Sequence, residues 1–212
     1  MRGRNKPWAK DFIEEHSNLI YSVDEENSLP LTLEVGIGKG DFIVANAKDN
    51  LDYLHIGVEL NTSIFAIAMK KIVNEDIKNI RLLNVPAKDL QTLINKESIS
   101  KLYLNFSDPW PQNGYRKRRL VHPLHLEVFE SLLKDNGELI FKTDNFKLFE
   151  MAVANFKIRN YEITFLSYDY QTVEKDYVSE YEARFRSLGQ PIYRIAAKVN
   201  KAELKPWGDA IK

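Results

Sequence analysis

Three glycines and one carboxylate stand at spacings that suit a nucleoside-binding loop. Gly36, Gly38 and Gly40 form a Gly-x-Gly-x-Gly run directly after the apolar stretch Leu31–Val35. Glycines in such a run let the backbone turn tightly and let a ligand approach it within contact distance. Glu59 follows the run by about 20 residues, the spacing at which an acid that ends the second strand accepts hydrogen bonds from ribose hydroxyls. The pattern predicts a nucleoside-containing cofactor.

The charges around the glycine run separate two classes of cofactor. Dinucleotide enzymes lay a pyrophosphate on a helix N-terminus behind a Gly-x-Gly-x-x-Gly loop. Here the spacing differs, and Glu34 and Asp41 flank the loop with negative charge. Negative flanks suit the cationic sulfonium and ammonium groups of S-adenosylmethionine, so we predict that cofactor and disfavour a nicotinamide oxidoreductase. The alternative is a glycine loop that only permits a tight turn between strand and helix.

A further carboxylate, Asp108, lies in the run Asn-Phe-Ser-Asp-Pro-Trp-Pro at residues 105–111, which ends the fourth apolar stretch. In a doubly wound sheet, ligands bind outside the carboxyl ends of the strands, which places Asp108 beside the nucleoside site. Pro109 and Pro111 stiffen this loop, and Trp110 is available for stacking. Amino-group methyltransferases carry a related signature, a polar residue followed by two prolines and an aromatic residue. Here one proline separates Asp108 from Trp110, so the match to that class is incomplete.

The elements that position these residues alternate between short apolar strands and helical patterns. Strands are predicted at 31–35, 53–58, 79–85, 101–106 and 138–142, and helices at 11–21, 41–47, 63–73, 89–94, 124–133 and 146–156. Such alternation predicts an α/β fold with a mostly parallel sheet. Two late strands, at 161–168 and 192–199, flank a short helix at 181–188 and add an antiparallel edge.

Two local patterns refine these elements. Asn136-Gly137 is typical of the end of a helix, so we expect the helix at 124–133 to end near it. The helical spacing of Phe146, Phe149 and Phe156 indicates that all three belong to the core.

Charge is balanced over the chain but segregated along it. The 212 residues hold 30 Lys and Arg and 30 Asp and Glu, which excludes a nonspecific nucleic-acid coat with a large positive excess. Two local patches remain: an arm at residues 1–10 with Arg2, Arg4, Lys6 and Lys10, and the run Tyr115, Arg116, Lys117, Arg118 and Arg119. Arginines make forked contacts to phosphate oxygens, and tyrosine stacks on bases. We expect the run to bind RNA; the alternative is a solvated basic face.

The composition and the histidines bear on compartment and metal binding. No apolar run approaches the ~18–20 residues that cross a bilayer, and the first residues have no apolar segment typical of a secretory signal. Cysteine is absent, which excludes disulfides and fits a reducing compartment. His122 and His125 stand close in sequence without a clear third ligand. We therefore expect a cytoplasmic protein with no membrane segment and no metal.

Several longer motifs, in the right order, resemble those of the bacterial tRNA (guanine-N7-)-methyltransferases. The resemblance runs from Lys6 to about Arg194, and it rests on residues 34–40, 103–111, 117–120, 141–145, 180–182 and 189–194. It implies the Rossmann-like class I fold of S-adenosylmethionine-dependent methyltransferases, with a seven-stranded sheet. It also implies methyl transfer to N7 of a guanosine in tRNA, at position 46 of the variable loop.

The resemblance further implies which residues form the site. It implies cofactor contacts at Glu34, Glu59 and Asp108, to which the glycine loop adds Gly36, Gly38 and Gly40 and the adenine side adds Pro86. Substrate contacts fall on Gln112, Asp144, Ser179, Glu180, Tyr181 and Glu182.

One position and one four-residue stretch depart from the family pattern. Relatives usually carry an acid or an amide where this chain has Pro86, so a contact there uses the backbone or shifts to Asp89. Relatives also carry Lys-Lys-Arg-His where this chain has Gln-Asn-Gly-Tyr at residues 112–115, which removes basic charge from the loop.

The chemistry of the acceptor limits what the protein must supply. Guanine N7 carries a lone pair and no proton, so attack on a sulfonium methyl group needs no general base. Catalysis then rests on alignment and on electrostatic stabilisation as positive charge moves to the purine. We expect Asp108 to be the catalytic group that holds the guanine edge, with Asp144 as the second candidate. The alternative for each is a carboxylate that caps a local turn or helix.

These patterns divide the chain into the basic arm at 1–10, a single methyltransferase domain at 11–199 and a tail at 200–212. The expected partner is tRNA, and the sequence allows a monomer or a homodimer. Two other functions stay open: an amino-group methyltransferase that acts on a nucleobase or a protein glutamine, and a catalytically reduced RNA-binding module.

Overall fold

The computed structural model describes residues 6–171 and 177–208, and within them seven strands form one mixed sheet. The strands are β1 (Leu31–Val35), β2 (Leu54–Val58), β3 (Ile80–Leu83), β4 (Ile99–Asn105), β5 (Leu133–Thr143), β6 (Glu162–Ser167) and β7 (Tyr193–Val199). Their order across the sheet is β3-β2-β1-β4-β5-β7-β6. β7 runs antiparallel to both of its neighbours, β5 and β6, and the other pairings among these strands are parallel. The predicted α/β fold class, with a parallel sheet and an antiparallel edge, is confirmed.

Six α-helices lie in the described residues: α1 (Ala9–Glu15), α2 (Asp41–Asp49), α3 (Thr62–Asn74), α4 (Pro123–Leu132), α5 (Phe146–Arg159) and α6 (Glu180–Ser187). Side chains of α2 and α3 form the core on one face of the sheet, and those of α4 and α5 form it on the other. With both faces covered, β1 and β2 are buried along their whole length. No described helix has the length and apolar character needed to cross a membrane.

The first helix and two short turns differ from the sequence prediction. The predicted helix at 11–21 is broken at His16 into α1 and a 3-10 turn, Ser17–Leu19. The predicted helix at 89–94 is the 3-10 segment Ala87–Thr92. A further 3-10 segment, Asn113–Arg118, forms in the polar stretch where the apolar pattern predicts no element.

The sequence prediction is also wrong at the junction of α4 and β5. The helix ends at Leu132, and β5 begins at once with Leu133 rather than at residue 138. Asn136 has a φ of 58°, and the register against β4 shifts around it, so Asn136-Gly137 forms a bulge inside the strand. A dipeptide that favours positive φ serves a bulge as well as a helix end, and the sequence does not distinguish the two.

The helical spacing in α5 predicts the burial of two of its three phenylalanines correctly and that of the third incorrectly. Phe149 and Phe156 are fully buried, as expected, but the side chain of Phe146 is 51% exposed. Phe146 is the first residue of α5, so it stands at the edge of the sheet rather than over it. The prediction that Phe146 belongs to the core is wrong.

Both ends of the described chain pack on the domain. Residues 1–5 of the predicted basic arm lie outside the described residues, whereas the Lys6 amide donates to Ser63 Oγ and the Trp8 ring lies beside Lys70. After β7, Trp207 is buried in the main core, and the Arg159 guanidinium lies 5.4 Å from its ring centroid.

Candidate active site

The residues that sequence reasoning singles out meet at one edge of the sheet. β1 to β5 run parallel, so their carboxyl ends lie side by side, about 4.8 Å apart from strand to strand. The glycine run follows β1, and the candidate site residues that follow the other four strands are Glu59, Pro86, Asp108 and Asp144. From β1 the strand order runs through β2 to β3 on one side and through β4 to β5 on the other. Parallel sheets bind ligands at the carboxyl ends of the strands where the strand order reverses in this way.

The glycine loop is tied to the end of β2 by its backbone. Gly36, Gly38 and Gly40 all have a positive φ, a backbone conformation that residues with a side chain rarely adopt. The amides of Gly36 and Ile37 both donate to the Val58 carbonyl, at 2.8 and 3.0 Å. The loop therefore has a fixed course before any ligand binds.

Glu59 links the loops after β1 and β2. Its Oε2 accepts from the Gly38 amide at 3.1 Å, and its Oε1 accepts from the Asn61 amide at 2.8 Å. Burial raises the pKa of Glu59, and the nearby charge of Asp108 adds to the shift. Each carboxylate oxygen keeps a second lone pair, so the side chain can still accept from ribose hydroxyls.

Glu34 is a buried carboxyl group on β1 with only one oxygen satisfied. It is 4% exposed, and its Oε1 accepts from Asn105 Nδ2 at 3.1 Å. Among the described residues, Oε2 of Glu34 and the Ser107 hydroxyl have no hydrogen-bond partner. Burial raises the pKa of Glu34 to about 8. Such a group is suited to a cationic or hydrogen-bond-donating ligand, because a bound donor satisfies the free oxygen and favours the ionised form.

The first turn of α6 covers this pocket. The pocket is lined by Glu34, the glycine loop, Asn105 and Phe106 on one side and by residues 179–181 on the other. Lys39 Nζ bonds Glu180 Oε1 at 2.7 Å across the rim, and the Tyr181 ring lies beside Gly38. A larger cavity lined by His16 and Arg81 lies near the start of β3, at the opposite edge of the sheet.

Glu182 differs from the predicted substrate contact. Its side chain is fully buried, and its Oε2 pairs with Nζ of the equally buried Lys142 at 2.9 Å. Its Oε1 accepts from the Arg186 guanidinium at 2.7 Å. One turn of α6 thus presents Glu180 and Tyr181 to the pocket and turns Glu182 toward the sheet. In this arrangement both carboxylate oxygens of Glu182 are bonded within the protein, and the side chain anchors the helix.

Arg119 likewise differs from its prediction as an RNA contact. Its Nε donates to the Pro109 carbonyl at 3.0 Å, and its Nη2 donates to the Trp110 carbonyl at 2.9 Å. These bonds hold the loop that carries Asp108, where Phe106 and Trp110 both have positive φ. The guanidinium is therefore a clamp on a strained loop rather than a free phosphate ligand.

The rest of the basic run faces solvent beside the same loop. Arg118 stacks its guanidinium over Trp110 and Tyr115, with 5.0 and 4.7 Å to the ring centroids. Arg116 and Lys117 are exposed in the same 3-10 segment, and Gln112 is exposed at its start. The run is thus brought next to Asp108, as adjacency in the sequence predicts.

The remaining predicted residues lie around the rim. Asp144 is partly buried, which raises its pKa, and the neighbouring Asn145 is the residue that caps α5 by accepting from the Leu148 amide. Asn145, and not Asp144, therefore caps α5. Pro86 precedes the 3-10 segment Ala87–Thr92, and its carbonyl accepts from the Asp89 amide at 3.0 Å.

Two supporting asparagines were not predicted. Asn105 binds Glu34, and Asn84 donates to the Glu59 carbonyl at 2.7 Å. Each lies at or just beyond the carboxyl end of its strand. A polar residue at that position is the sequence pattern that could have identified them.

The chain is similar to known methyltransferases. Residues 28–195 match a family described as putative methyltransferases. The chain is 39% identical over 213 residues to a tRNA (guanine-N(7)-)-methyltransferase of Oceanobacillus iheyensis, which covers 95% of this chain and 100% of that protein. It is 40% identical to the same-named protein of a Geobacillus species, over 93% of this chain and 96% of that one.

Solved structures share the fold at low sequence identity. An antibiotic-related methyltransferase superposes with a TM-score of 0.61 at 18% identity and covers 88% of this chain and 94% of that one. The 16S rRNA methyltransferase KamB has a TM-score of 0.61 at 13% identity and covers 94% and 98% of the two chains.

The buried Glu34 predicts a specific pH dependence of stability without cofactor. Because the folded-state pKa is about 8 against an ordinary 4.5, Glu34 favours folding below pH 4.5, and that contribution is lost as pH rises toward 8. Glu34→Gln cannot ionise, so its urea midpoint should fall less between pH 5 and pH 8 than the wild-type midpoint. Between these two pH values, the loss in the free energy of unfolding should be larger for the wild type by on the order of a few kcal/mol. The same change of stability with pH in both proteins would contradict the raised pKa of Glu34. The control is Glu127→Gln, which replaces an exposed carboxyl group on α4.

Proposed function

Because the chain belongs to the tRNA (guanine-N(7)-)-methyltransferase family, we propose that it transfers a methyl group from S-adenosylmethionine to N7 of a guanosine in tRNA. The observation that carries the proposal is the meeting of Glu34, Glu59 and Asp108 at the carboxyl ends of β1, β2 and β4. Three carboxylates around a glycine loop form a site for a cationic nucleoside and not for a pyrophosphate.

The donor atoms of the pocket fit this cofactor. S-adenosylmethionine, when bound, supplies a methyl group on a positively charged sulfur. Glu34 has a free buried oxygen for a cationic or donating group, and Glu59 has acceptor capacity for ribose hydroxyls. The open backbone around Gly36 leaves room for close approach, since an added Cβ there would meet no atom within 4 Å. On the adenine side, Pro86 can contribute only its carbonyl, so we assign side-chain selectivity there to Asp89.

The chain's task on the acceptor side is to hold and align. N7 has a free lone pair, so no residue has to remove a proton. Asp108 lies in a loop that Arg119 clamps at the carboxyl end of β4, the strand next to β1, so we assign it the guanine edge and the stabilisation of the positive charge that develops on the purine. Asp144, one strand further along the edge, is assigned a second contact to the substrate.

RNA binding is assigned to the exposed basic run. Arg116, Lys117 and Arg118 project beside the loop of Asp108, and forked guanidinium contacts suit phosphate oxygens. Gln112, Ser179, Glu180 and Tyr181 complete the proposed substrate contacts. We place the acceptor guanosine at position 46 of the variable loop. We propose a cytoplasmic enzyme, which the absence of cysteine favours, that acts as a monomer or a homodimer.

Methyl transfer to an unmodified tRNA transcript tests the function directly. With isotope-labelled cofactor, we expect one labelled guanosine per tRNA, mapped as 7-methylguanosine in the variable loop. Glu59→Ala should weaken cofactor binding about tenfold or more in calorimetry, because each charge-assisted bond to ribose is worth about 1.5–3 kcal/mol. Label on an exocyclic amine or on a protein glutamine would instead identify an amino-group methyltransferase. If the protein does not bind S-adenosylmethionine, the remaining candidate is an RNA-binding module without methyltransferase activity.

Asp108 should control the chemical step more than cofactor binding. Asp108→Asn keeps size and most hydrogen-bond geometry but removes charge, so the single-turnover rate with saturating cofactor and tRNA should fall roughly 10²–10³-fold. Asp108→Ala should be slower still because it also loses the positioning of the base. A wild-type rate for Asp108→Ala would remove the central role assigned to this residue.

A further inference from the structure

An aromatic patch lies exposed beside the candidate active site, and the proposed function does not yet use it. It consists of Phe146, Tyr168 and Tyr193. The side chains of Phe146 and Tyr168 are 51% and 47% exposed, and their ring centroids are 6.4 Å apart. Tyr193 lies 5.6 Å from Phe146 and 6.5 Å from Tyr168, so the three rings form one continuous surface.

The patch is held in place from below. The fully buried Phe149 stacks on Tyr193 with centroids 5.3 Å apart and meets Tyr168 edge-on at 5.2 Å. The Tyr168 hydroxyl donates to Glu150 Oε1 at 3.0 Å, which fixes the ring. The aromatic faces are therefore oriented before any partner binds, and binding would require little further ordering.

The topology puts the patch at the edge that carries the site. Phe146 follows Asp144 by two residues. Tyr193 pairs with Thr143 at the carboxyl end of β5 because β7 runs antiparallel to β5. Tyr168 directly follows β6, whose last residue pairs with Arg194. All three rings thus stand within about two strand spacings of Asp144.

We propose that the aromatic patch stacks an unpaired base of the tRNA next to the guanosine that is methylated. The proposal rests on the proposed function. Two exposed rings offer a face for one or two bases, whereas a stable protein partner needs about 800 Å² on each side. Single-stranded nucleic acid is bound by aromatic stacking combined with positive charge, and Lys147 is exposed next to Phe146.

The patch also fits the geometry that N7 methylation requires. A base that lies in a folded tRNA must be turned out of its stack to enter a pocket, and its neighbour then loses a stacking partner. An aromatic face beside the pocket replaces that partner. The basic run lies on the β4 side of the site and the aromatic patch lies on the β5–β7 side, so the two surfaces contact the RNA on opposite sides of Asp108.

Phe146→Leu tests the proposal, because leucine keeps an apolar side chain and removes the stacking face. We expect tRNA affinity to fall about 5- to 100-fold, the range that corresponds to loss of one base–aromatic stack. The log–log salt dependence of binding should keep its slope, because stacking releases no counterions. Phe146→Trp, which keeps an aromatic face, should bind tRNA as tightly as the wild type. A 2-aminopurine in the variable loop should be quenched by the wild-type protein and not by Phe146→Leu.

Ile158→Ala is the matched control. Ile158 is 43% exposed on the same helix, about 18 Å away toward the opposite edge of the sheet, so its replacement should leave tRNA affinity unchanged. Equal affinity and equal quenching for wild type and Phe146→Leu would overturn the stacking role while methyl transfer by the wild type still stands. A change in molecular mass with Phe146→Leu, seen by light scattering, would identify the patch as a self-association surface and overturn it too. Absence of methyl transfer by the wild type would overturn both proposals together.

Discussion

The buried ion pair between Lys142 and Glu182 is the interaction on which the geometry of the site depends. Lys142 lies on β5, and its Nζ bonds Glu182 of α6 and the Tyr177 carbonyl, while its own carbonyl accepts from the Phe106 amide after β4. One residue therefore connects the covering helix, the strand and the loop that carries Asp108. A buried ion pair adds little net stability, because removing both charges from water is costly. Its effect is to fix where α6 stands, and with it the wall of the pocket.

That arrangement gives each carboxylate of the site a different environment. Glu34 is enclosed and poorly satisfied, Glu59 is bonded by two backbone amides, and Asp108 is exposed on a clamped loop. The first is suited to a cation, the second to hydroxyl groups and the third to an incoming base. Since guanine N7 needs no deprotonation, the chain requires no histidine or lysine base, and rigid placement is the main contribution it can make. The clamp by Arg119 and the anchor by Glu182 are consistent with that need.

The sequence predicted the parts of this structure that depend on local pattern. Leu31–Val35, the glycine loop and the acids at strand ends were predictable because apolar periodicity fixes the strands, and parallel strands bring their carboxyl ends together. The roles of Arg119 and Glu182 were not predictable, since which way a charged side chain turns depends on the carbonyl or partner that tertiary packing brings near. The bulge at Asn136 and the exposure of Phe146 were missed for a similar reason: the same local signal serves two structures, and the neighbouring elements decide between them.

The central claim is that the enzyme alkylates the lone pair of guanine N7 without removing a proton. A tRNA that carries 7-deazaguanosine at the mapped position tests it most directly, because carbon replaces the acceptor nitrogen while the Watson–Crick edge stays intact. If N7 is the acceptor, this tRNA binds with wild-type affinity, accepts no methyl group and competitively inhibits methylation of the normal tRNA. Methyl transfer to the 7-deazaguanosine tRNA would contradict alkylation of N7, because the acceptor would then be another atom.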